Sequence, residues 1–334
     1  MILAGDIGGT KVVLGLFETG VGSLEKIREQ TYASNGLPSL QAMCVDFLRQ
    51  GPKVAVRTAC FGVPGAVVDG ACKTTNLPWL LTETSLAQTF DVPRVRLLND
   101  LQAAGYGMLH LAPEELATLN PGRIAKHGNR GVIAAGTGLG EGLLAWTGDR
   151  HVPVASEGGH ATFAPANELE DDLRSFIARR LGKDGVPAAH VSWERLLSGP
   201  GLGNVYDFLK ARGVHEESPH VTAKLARRAD LGSVVGIEAV NGSDRLCGAA
   251  ADMFAGLYGA RAGDVALQFL ATGGMFIGGG VAAKMLPVLQ RGAFMKAFLA
   301  KGRFEEFMRN IPVHVALNEK APLLGAAHFA ADSL

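Results

Sequence analysis

The chain has 334 residues, of which 47% are hydrophobic, and its 32 basic residues are balanced by 32 acidic ones. This balance argues against a nucleic-acid-binding protein, which would carry a basic excess. No uninterrupted apolar run is long enough to span a bilayer, and no basic-then-apolar leader opens the chain, so we expect a cytoplasmic protein that does not contact membranes. The length predicts two lobes.

Glycine and cysteine usage add two expectations. The 44 glycines exceed the usual share of about 7% and cluster beside apolar runs, which predicts many tight turns and close approaches to ligands. The four cysteines, Cys44, Cys60, Cys72 and Cys247, form no C-x-x-C pair. We therefore expect buried free thiols in a reducing compartment.

The first predicted element is a β-hairpin. Apolar runs at 2–7 and 11–17 flank the turn Gly8-Gly9-Thr10, which follows Asp6 almost directly. The glycines allow backbone N–H groups to approach phosphate oxygens, Thr10 adds a hydroxyl, and Asp6 can hold a hydrated metal ion. This pattern suits a nucleoside triphosphate with magnesium, although an ordinary hairpin whose glycines only make the turn remains an alternative.

Two other glycine-rich loops fit this segment poorly. A Rossmann fingerprint leads from a strand into a helix, whereas this turn leads into a second β-rich run. A Walker A loop needs a glycine where Thr10 stands and a helix after Lys11.

The remaining elements follow from apolar periodicity, capping residues and turn residues. We predict a strand at 24–33, a helix at 39–50 capped by Ser39, strands at 54–61 and 95–98, a helix at 101–111, a strand at 130–135, a turn at 136–140, an apolar run at 141–146, a helix at 166–181, a sharp turn at 199–203, helical stretches within 233–258, strands at 265–271 and 313–317, and a closing helix at 321–331.

A second glycine-rich turn repeats the pattern of the first. Gly136-Thr137-Gly138 lies between the strand at 130–135 and the run at 141–146. Two such hairpins predict two related α/β lobes that each offer a loop to one ligand.

Asn99 and Asp100 stand at the end of a predicted buried strand, where binding groups of α/β proteins collect. Asp100 can accept a proton from a substrate hydroxyl, and Asn99 can orient that hydroxyl. A helix N-cap explains both residues equally well.

A second polar group is Glu157-Gly158-Gly159-His160. A carboxylate and an imidazole suit the hydroxyls of a sugar, which both donate and accept hydrogen bonds. No cysteine or second histidine stands nearby, so we discount zinc; a lone core histidine is the other alternative. Glu194, taken alone, is typical of an ordinary helix carboxylate.

Together these residues form an ordered set of motifs. The chain resembles bacterial ATP-dependent glucokinases of the hexokinase and actin-like ATPase superfamily over nearly its whole length. Each motif is weak alone and the set is specific. The motifs are Gly5-Asp6-Ile7-Gly8-Gly9-Thr10, Leu98-Asn99-Asp100, Gly136-Thr137-Gly138-Leu139-Gly140, Glu157-Gly158-Gly159-His160, Glu194-Arg195-Leu196-Leu197-Ser198-Gly199 and Gly273-Gly274.

The resemblance implies an α/β, two-lobed actin-like ATPase (ribonuclease H-like) fold with the active site in the interdomain cleft. It implies a small domain at 1–110, completed by 318–334, and a large domain at 111–317. The implied reaction is ATP-dependent phosphorylation of D-glucose to glucose 6-phosphate in glycolysis, with ATP and Mg²⁺, in a homodimer that binds neither nucleic acid nor membrane.

The resemblance also assigns roles to residues. Asp100 matches the catalytic base. No residue binds metal directly, and Asp6 is expected to hold Mg-ATP through water. The ATP-binding set is Gly5, Asp6, Ile7, Gly8, Gly9, Thr10, Gly136, Thr137, Gly138 and, on the adenosine side, Gly273 and Gly274. The glucose-binding set is Asn99, Asp100, Gly138, Glu157, His160 and Glu194.

The chain departs from the family pattern at two places. Lys11 stands where many relatives have Asn, and Met275-Phe276-Ile277-Gly278-Gly279-Gly280 lacks the Pro-Arg pair of one branch. No cysteine-rich zinc motif follows His160, so the related repressor/open-reading-frame/kinase (ROK) family fits less well. Alternatives are a kinase for mannose, fructose or an N-acetyl sugar, a sugar-responsive regulator, and a polymerising ATPase.

Overall fold

The computed structural model describes residues 1–20, 23–52, 54–75, 77–227 and 229–333. Its strands are β1 Ile2–Ile7, β2 Lys11–Thr19, β3 Leu24–Ala33, β4 Thr58–Val63, β5 Val67–Val68, β6 Ala71–Lys73, β7 Leu80–Thr82, β8 Val95–Asn99, β9 Leu116–Asn120, β10 Arg130–Ala135, β11 Leu139–Trp146, β12 His151–Val154, β13 Gly274–Gly278 and β14 Val313–Ala316.

An α-helix directly follows β3, β7, β8, β13 and β14 in the chain. The helices are α1 Leu40–Arg49, α2 Glu83–Phe90, α3 Asp100–Met108, α4 Glu168–Leu181, α5 Gly199–Ala211, α6 Pro219–Ala226, α7 Leu231–Asn241, α8 Arg245–Gln268, α9 Gly279–Lys284, α10 Leu286–Leu289, α11 Ala293–Leu299, α12 Glu305–Arg309 and α13 Ala321–Ala331. Short 3₁₀ turns occupy Pro113–Glu115, Gly158–His160, Trp193–Arg195 and Gly302–Phe304.

The chain divides into two compact units. The first contains Met1–Glu115, Gly142–Ala155 and Asn318–Leu334, and the second contains Leu116–Glu141 and Ser156–Leu317. The segment 142–155, which we placed in the large domain, is therefore part of the first unit. It packs there on α3, where the Gln102 side-chain amide donates to the Pro153 carbonyl at 2.9 Å.

The first unit is built on a five-stranded sheet in the order β3-β2-β1-β4-β8. β1 and β2 form the predicted antiparallel hairpin, while β1, β4 and β8 run parallel. The register pairs Asp6 with Gly62 and Gly62 with Leu98. The carboxyl ends of three parallel strands therefore meet at one edge, which carries Asp6 and Asp100.

One face of this sheet is covered by α3 and the C-terminal helix α13. These two helices touch backbone to backbone: a Cβ at Gly325 would lie 1.8 Å from the Ala103 carbonyl oxygen, and one at Gly107 would lie 1.9 Å from that of Ala321. Only glycine allows so close a crossing. The contact holds the start of α3, and with it Asp100, against the sheet.

The second unit contains the parallel strands β10, β13 and β14 within a sheet ordered β12-β11-β10-β13-β14-β9. Helix α8 is buried along most of its length. Its Tyr258 hydroxyl donates to the carbonyl oxygens of Ile133 and Gly278 at 3.2 and 3.3 Å and accepts from the Ala135 N–H at 3.2 Å. One buried phenol thus ties together the carboxyl ends of β10 and β13.

Two sequence-based predictions of secondary structure are wrong in this unit. The run 265–271 is not a strand, because α8 continues to Gln268 and the strand β13 begins only at Gly274. Periodicity cannot distinguish a short apolar strand from the end of a buried helix. The segment 199–203 is not a turn before a helix, because it is the first part of α5.

Other expectations are confirmed with shifted boundaries. The strand predicted at 54–61 begins at Thr58, and the helix predicted at 101–111 is Asp100–Met108. All four cysteines are buried free thiols. Among the described helices, none combines the length and apolar character needed to cross a bilayer.

Candidate active site

The first glycine-rich loop is a turn held by a serine that the sequence analysis missed. The Gly8 N–H donates to the Lys11 carbonyl at 2.8 Å, and a Cβ at Gly8 would lie 3.0 Å from that oxygen. The buried Ser34 donates its hydroxyl to the Gly8 carbonyl at 2.7 Å and its N–H to the Thr10 carbonyl at 2.9 Å. The loop carbonyls are thereby turned inward, while Thr10 is exposed.

Asp6 and Asp100 form an electrostatically coupled pair of carboxylates at the edge of the first sheet. Burial, and next the negative charge of Asp100, raise the pKa of Asp6 to about 6, while Lys11 opposes the shift. Asp100 is exposed. A raised carboxyl pKa beside a second carboxylate is typical of functional sites.

Asn99 is the N-cap of α3, so the helix-cap explanation offered by the sequence is confirmed for this residue. Its side-chain oxygen accepts from the Leu101 N–H at 3.0 Å, its amide donates to the Gly65 carbonyl at 3.1 Å, and Gln102 completes a capping box. Asp100 is the first residue of the helix, and its Oδ1 accepts from the Leu101 N–H at 2.8 Å. The cap thus fixes the position from which Asp100 faces solvent.

The second glycine-rich loop lies against the N-terminus of α5. The Gly199 N–H donates to the Gly136 carbonyl at 2.8 Å, and the Gly136 N–H donates to the Gly138 carbonyl at 2.9 Å. Helix N-termini carry unpaired N–H groups and a positive partial charge, which attract phosphate. The Ser198 N-cap followed by Pro200 signals this helix start in the sequence.

Three predicted sugar-binding side chains come together in the second unit. His160 Nε2 lies 3.9 Å from Glu157 Oε2, and His160 Nδ1 lies 4.0 Å from Glu194 Oε1. These distances are too long for direct hydrogen bonds, so the side chains keep capacity for a ligand. The side chains of Glu157 and His160 are 65% and 59% exposed, and that of Glu194 is 26% exposed. We call these three residues the polar cluster.

The polar cluster touches the second glycine-rich loop. Glu194 Oε2 accepts from the Leu139 N–H at 3.2 Å, and a Cβ at Gly138 would lie 2.6 Å from the same oxygen. A side chain at Gly138 would therefore displace the Glu194 carboxylate, which contacts the predicted loop directly.

Gly273 and Gly274 lie at the other end of their sheet. Gly274 pairs with Arg130 at the start of β10, whereas Gly278 pairs with Ala134 near its end. At about 3.3 Å per residue, the six residues of β10 separate Gly274 from the second loop by about 20 Å. This placement argues against the adenosine-side role that we expected for Gly273-Gly274.

Gly278-Gly279-Gly280 occupies the end of β13 that lies beside the second loop. Gly279 has φ +83°, and a Cβ there would lie 2.1 Å from the Ala135 carbonyl oxygen. Only glycine fits both the conformation and the space. The apolar run between the two glycine groups, Met275-Phe276-Ile277, is the signal that a strand separates them.

The described residues contain no group of three or more His, Cys, Asp or Glu side chains that could hold a metal ion. The donor set suited to a hydrated divalent cation is the carboxylate of Asp6, because magnesium is bound through one or two carboxylates, waters and phosphates.

Comparison with known proteins adds a decisive observation. The glucokinase family model matches residues 3–333. The chain belongs to the glucokinase family. A curated glucokinase from a Nostoc species is 40% identical, with 99% of each chain covered. This membership makes the chain an ATP-dependent glucokinase.

Solved structures show the same fold. A glucokinase from an Antarctic psychrotroph matches with a TM-score of 0.86 and 27% identity over 99% of this chain and 98% of the other. A ROK family glucokinase from Streptomyces griseus, solved with glucose and AMPPNP, matches with a TM-score of 0.63 and 21% identity over 99% of both chains. The chain has the α/β actin-like ATPase fold.

Proposed function

We propose that Asp100 is the general base that accepts the proton of the glucose 6-hydroxyl as this oxygen attacks the γ-phosphorus of ATP. The observation that carries the proposal is an exposed carboxylate, fixed by a helix cap, beside the half-buried carboxylate of Asp6. The transition state of phosphoryl transfer is loose, so positioning and charge stabilisation supply most of the catalysis.

The nucleotide is proposed to bind to loops from both glycine-rich turns. Backbone N–H groups of the first turn approach the phosphates, together with the Thr10 hydroxyl. The Gly136-Thr137-Gly138 loop, with the N-terminus of α5 against it, provides a second phosphate contact. The proposed ATP set is Gly5, Asp6, Ile7, Gly8, Gly9, Thr10, Gly136, Thr137 and Gly138, and Gly278-Gly279-Gly280 replaces Gly273-Gly274 on the adenosine side.

Asp6 is the residue proposed to hold magnesium, through water. Its raised pKa reflects a buried negative charge beside a second one, and a cation stabilises that arrangement. When bound, the cation neutralises charge on the phosphates. Asp6 then keeps the hydrated ion at the carboxyl edge of the sheet.

The polar cluster is proposed to bind the hydroxyl groups of glucose. Two carboxylates accept hydrogen bonds from sugar hydroxyls, and the imidazole donates or accepts according to its tautomer. Gly138 provides backbone contact, and Asn99 acts mainly through the position of Asp100. Glucose 6-phosphate would enter glycolysis in the cytoplasm, and we propose a homodimer.

A coupled assay of ADP release over a sugar panel tests the substrate. We expect glucose to give the highest kcat/KM, with mannose, fructose and N-acetylglucosamine at least tenfold lower. A higher kcat/KM for one of these sugars would assign the site to that hexose. Sedimentation velocity with and without ATP tests the dimer, because a polymerising ATPase would form larger species with ATP.

A further inference from the structure

A buried ion pair lies behind the polar cluster. Arg261 on α8 and Glu141 on β11 have side chains only 7% and 2% exposed. Arg261 Nε donates to Glu141 Oε1 and Nη2 donates to Oε2, both at 2.7 Å. This two-pronged geometry fixes the guanidinium plane.

The guanidinium also contacts the two 3₁₀ turns that carry the polar cluster. Arg261 Nη2 donates to the Gly158 carbonyl at 3.3 Å, and the guanidinium carbon lies 5.6 Å from the centre of the Trp193 ring. Gly158 directly follows Glu157, and Trp193 directly precedes Glu194. The Arg261 side chain therefore contacts both turns, through the Gly158 carbonyl in one and the Trp193 ring in the other.

Glu141 packs on the turn that contains Gly158. A Cβ at Gly158 would lie 2.3 Å from Glu141 Oε2, so the carboxylate packs directly on the turn that separates Glu157 from His160. The same strand begins at Leu139, whose N–H donates to Glu194. The two turns are further joined by the Trp193 N–H, which donates to the Ala161 carbonyl at 3.0 Å.

Stability alone does not explain a charged pair at this place. Taking two charges out of water is costly, and replacing a buried pair with apolar side chains of similar volume often leaves stability unchanged or improved. An apolar pair could not donate to Gly158 or lay a planar cation on Trp193. The contacts that only the ion pair can make are those that reach the polar cluster.

We propose that Arg261 and Glu141 are positioning residues for glucose, which set the spacing of Glu157, His160 and Glu194 without touching the sugar. This inference rests on the proposed role of the polar cluster in glucose binding. Shifts of a binding group by about 1 Å from its productive position can cost up to about 100-fold in rate, so loosening both turns should weaken glucose binding.

The test is the paired variant E141M/R261M, which leaves neither charge buried alone. We expect a melting temperature within a few degrees of the wild type, a glucose KM and a calorimetric glucose Kd raised at least about tenfold, and an ATP KM changed less than about threefold. The matched control is D264N/K301M, which removes the ion pair between Asp264 on the same helix and Lys301. It should leave glucose binding unchanged.

A conservative variant keeps the test informative if the paired variant fails to fold. Arg261→Lys keeps the positive charge and loses the paired hydrogen bonds of the guanidinium with Glu141. We therefore expect a glucose Kd between those of the wild type and the paired variant. Wild-type glucose binding in a folded variant of either kind would overturn the inference. Unchanged calorimetric glucose binding in Glu157→Gln and His160→Ala would instead overturn the proposed function of the polar cluster.

Discussion

Asp6 and Asp100 lie at the same edge of the first sheet, where burial and the charge of Asp100 raise the pKa of Asp6 to about 6. β1 and β8 are separated by one strand, which places the two strand ends about 10 Å apart. The two carboxylates differ in exposure, because Asp6 is half-buried as the next-to-last residue of β1, whereas Asp100 is the exposed first residue of α3. This difference suits one residue to hold a cation and the other to accept a proton.

The raised pKa of Asp6 predicts a trade-off between stability and activity. The carboxyl group titrates near 3.8 when unfolded and near 6 when folded, so ionisation opposes folding increasingly as pH rises from about 4 to 6 and fully above it. Asp6→Asn should stabilise the protein at pH 8 by up to about 3 kcal/mol, have little effect at pH 4, and abolish activity.

Thermal unfolding without nucleotide or metal checks this prediction at both pH values. Glu25→Gln, which changes an exposed carboxylate of the same sheet, is the control and should shift the melting temperature equally at pH 4 and pH 8. An Asp6→Asn protein that is no more stable than the wild type at pH 8 would contradict the assigned cause.

Removing the proposed base should separate chemistry from binding. Asp100→Asn should lower kcat by about 10²–10⁴-fold while glucose still binds by calorimetry. Because Asp100 is exposed, the melting temperature of the Asp100→Asn protein should stay near that of the wild type. A variant that keeps a near wild-type kcat shows that another group accepts the proton.

Much of the first unit follows from the sequence for identifiable reasons. The β1–β2 hairpin, the Ser39 cap of α1 and the strand leading into Asn99 are local patterns. The segment 142–155 joins the first unit through contacts such as the hydrogen bond of Gln102 with the Pro153 carbonyl. Residues so distant in sequence leave no local pattern.

The second unit was harder to predict at its most buried elements. Helix α8 is buried along most of its length, so its last turn has the apolar pattern of a strand. The sequence analysis therefore placed a strand there instead of at β13. The expected adenosine-side role of Gly273-Gly274 depended on a strand before these glycines, whereas Gly274 begins β13. Glu157, His160 and Glu194, which the motif set grouped, lie close together. The Arg261–Glu141 pair has no sequence signal, since 120 residues separate its members.

The capping role of Asn99 predicts a loss of stability. Asn99→Ala removes one of the two side-chain acceptors of the Leu101 N–H, the other being Asp100 Oδ1, and the donor to the Gly65 carbonyl. Losing an N-cap costs about 1 kcal/mol. Denaturant unfolding measures the loss. Asn99→Ser keeps a capping oxygen and should recover part of it. Equal stability of the Ala and Ser variants would show that the cap contributes nothing.

The polar cluster should govern the KM for glucose. Glu157→Gln and His160→Ala remove exposed hydrogen-bonding groups, so each should raise the glucose KM about fivefold or more and change the ATP KM little. His215→Ala is the control, because His215 is an exposed histidine of the same unit that lies in the loop between α5 and α6, outside the cluster. An unchanged glucose KM in both variants would remove the cluster from the sugar site.

The nucleotide side can be tested at Gly280, which lies in the first turn of α9 at the carboxyl end of β13. If the adenosine binds here, the branched side chain of Gly280→Val fills space that the nucleotide needs, and the ATP KM should rise at least about tenfold while calorimetric glucose binding is kept. Gly256→Val, at a helical glycine whose Cβ position has nothing within 4 Å apart from the backbone of its own helix and its chain neighbours, controls for the added volume. If the ATP KM of Gly280→Val equals that of the control, Gly278-Gly279-Gly280 does not border the nucleotide, and its close approach to Ala135 serves only to join β10 and β13.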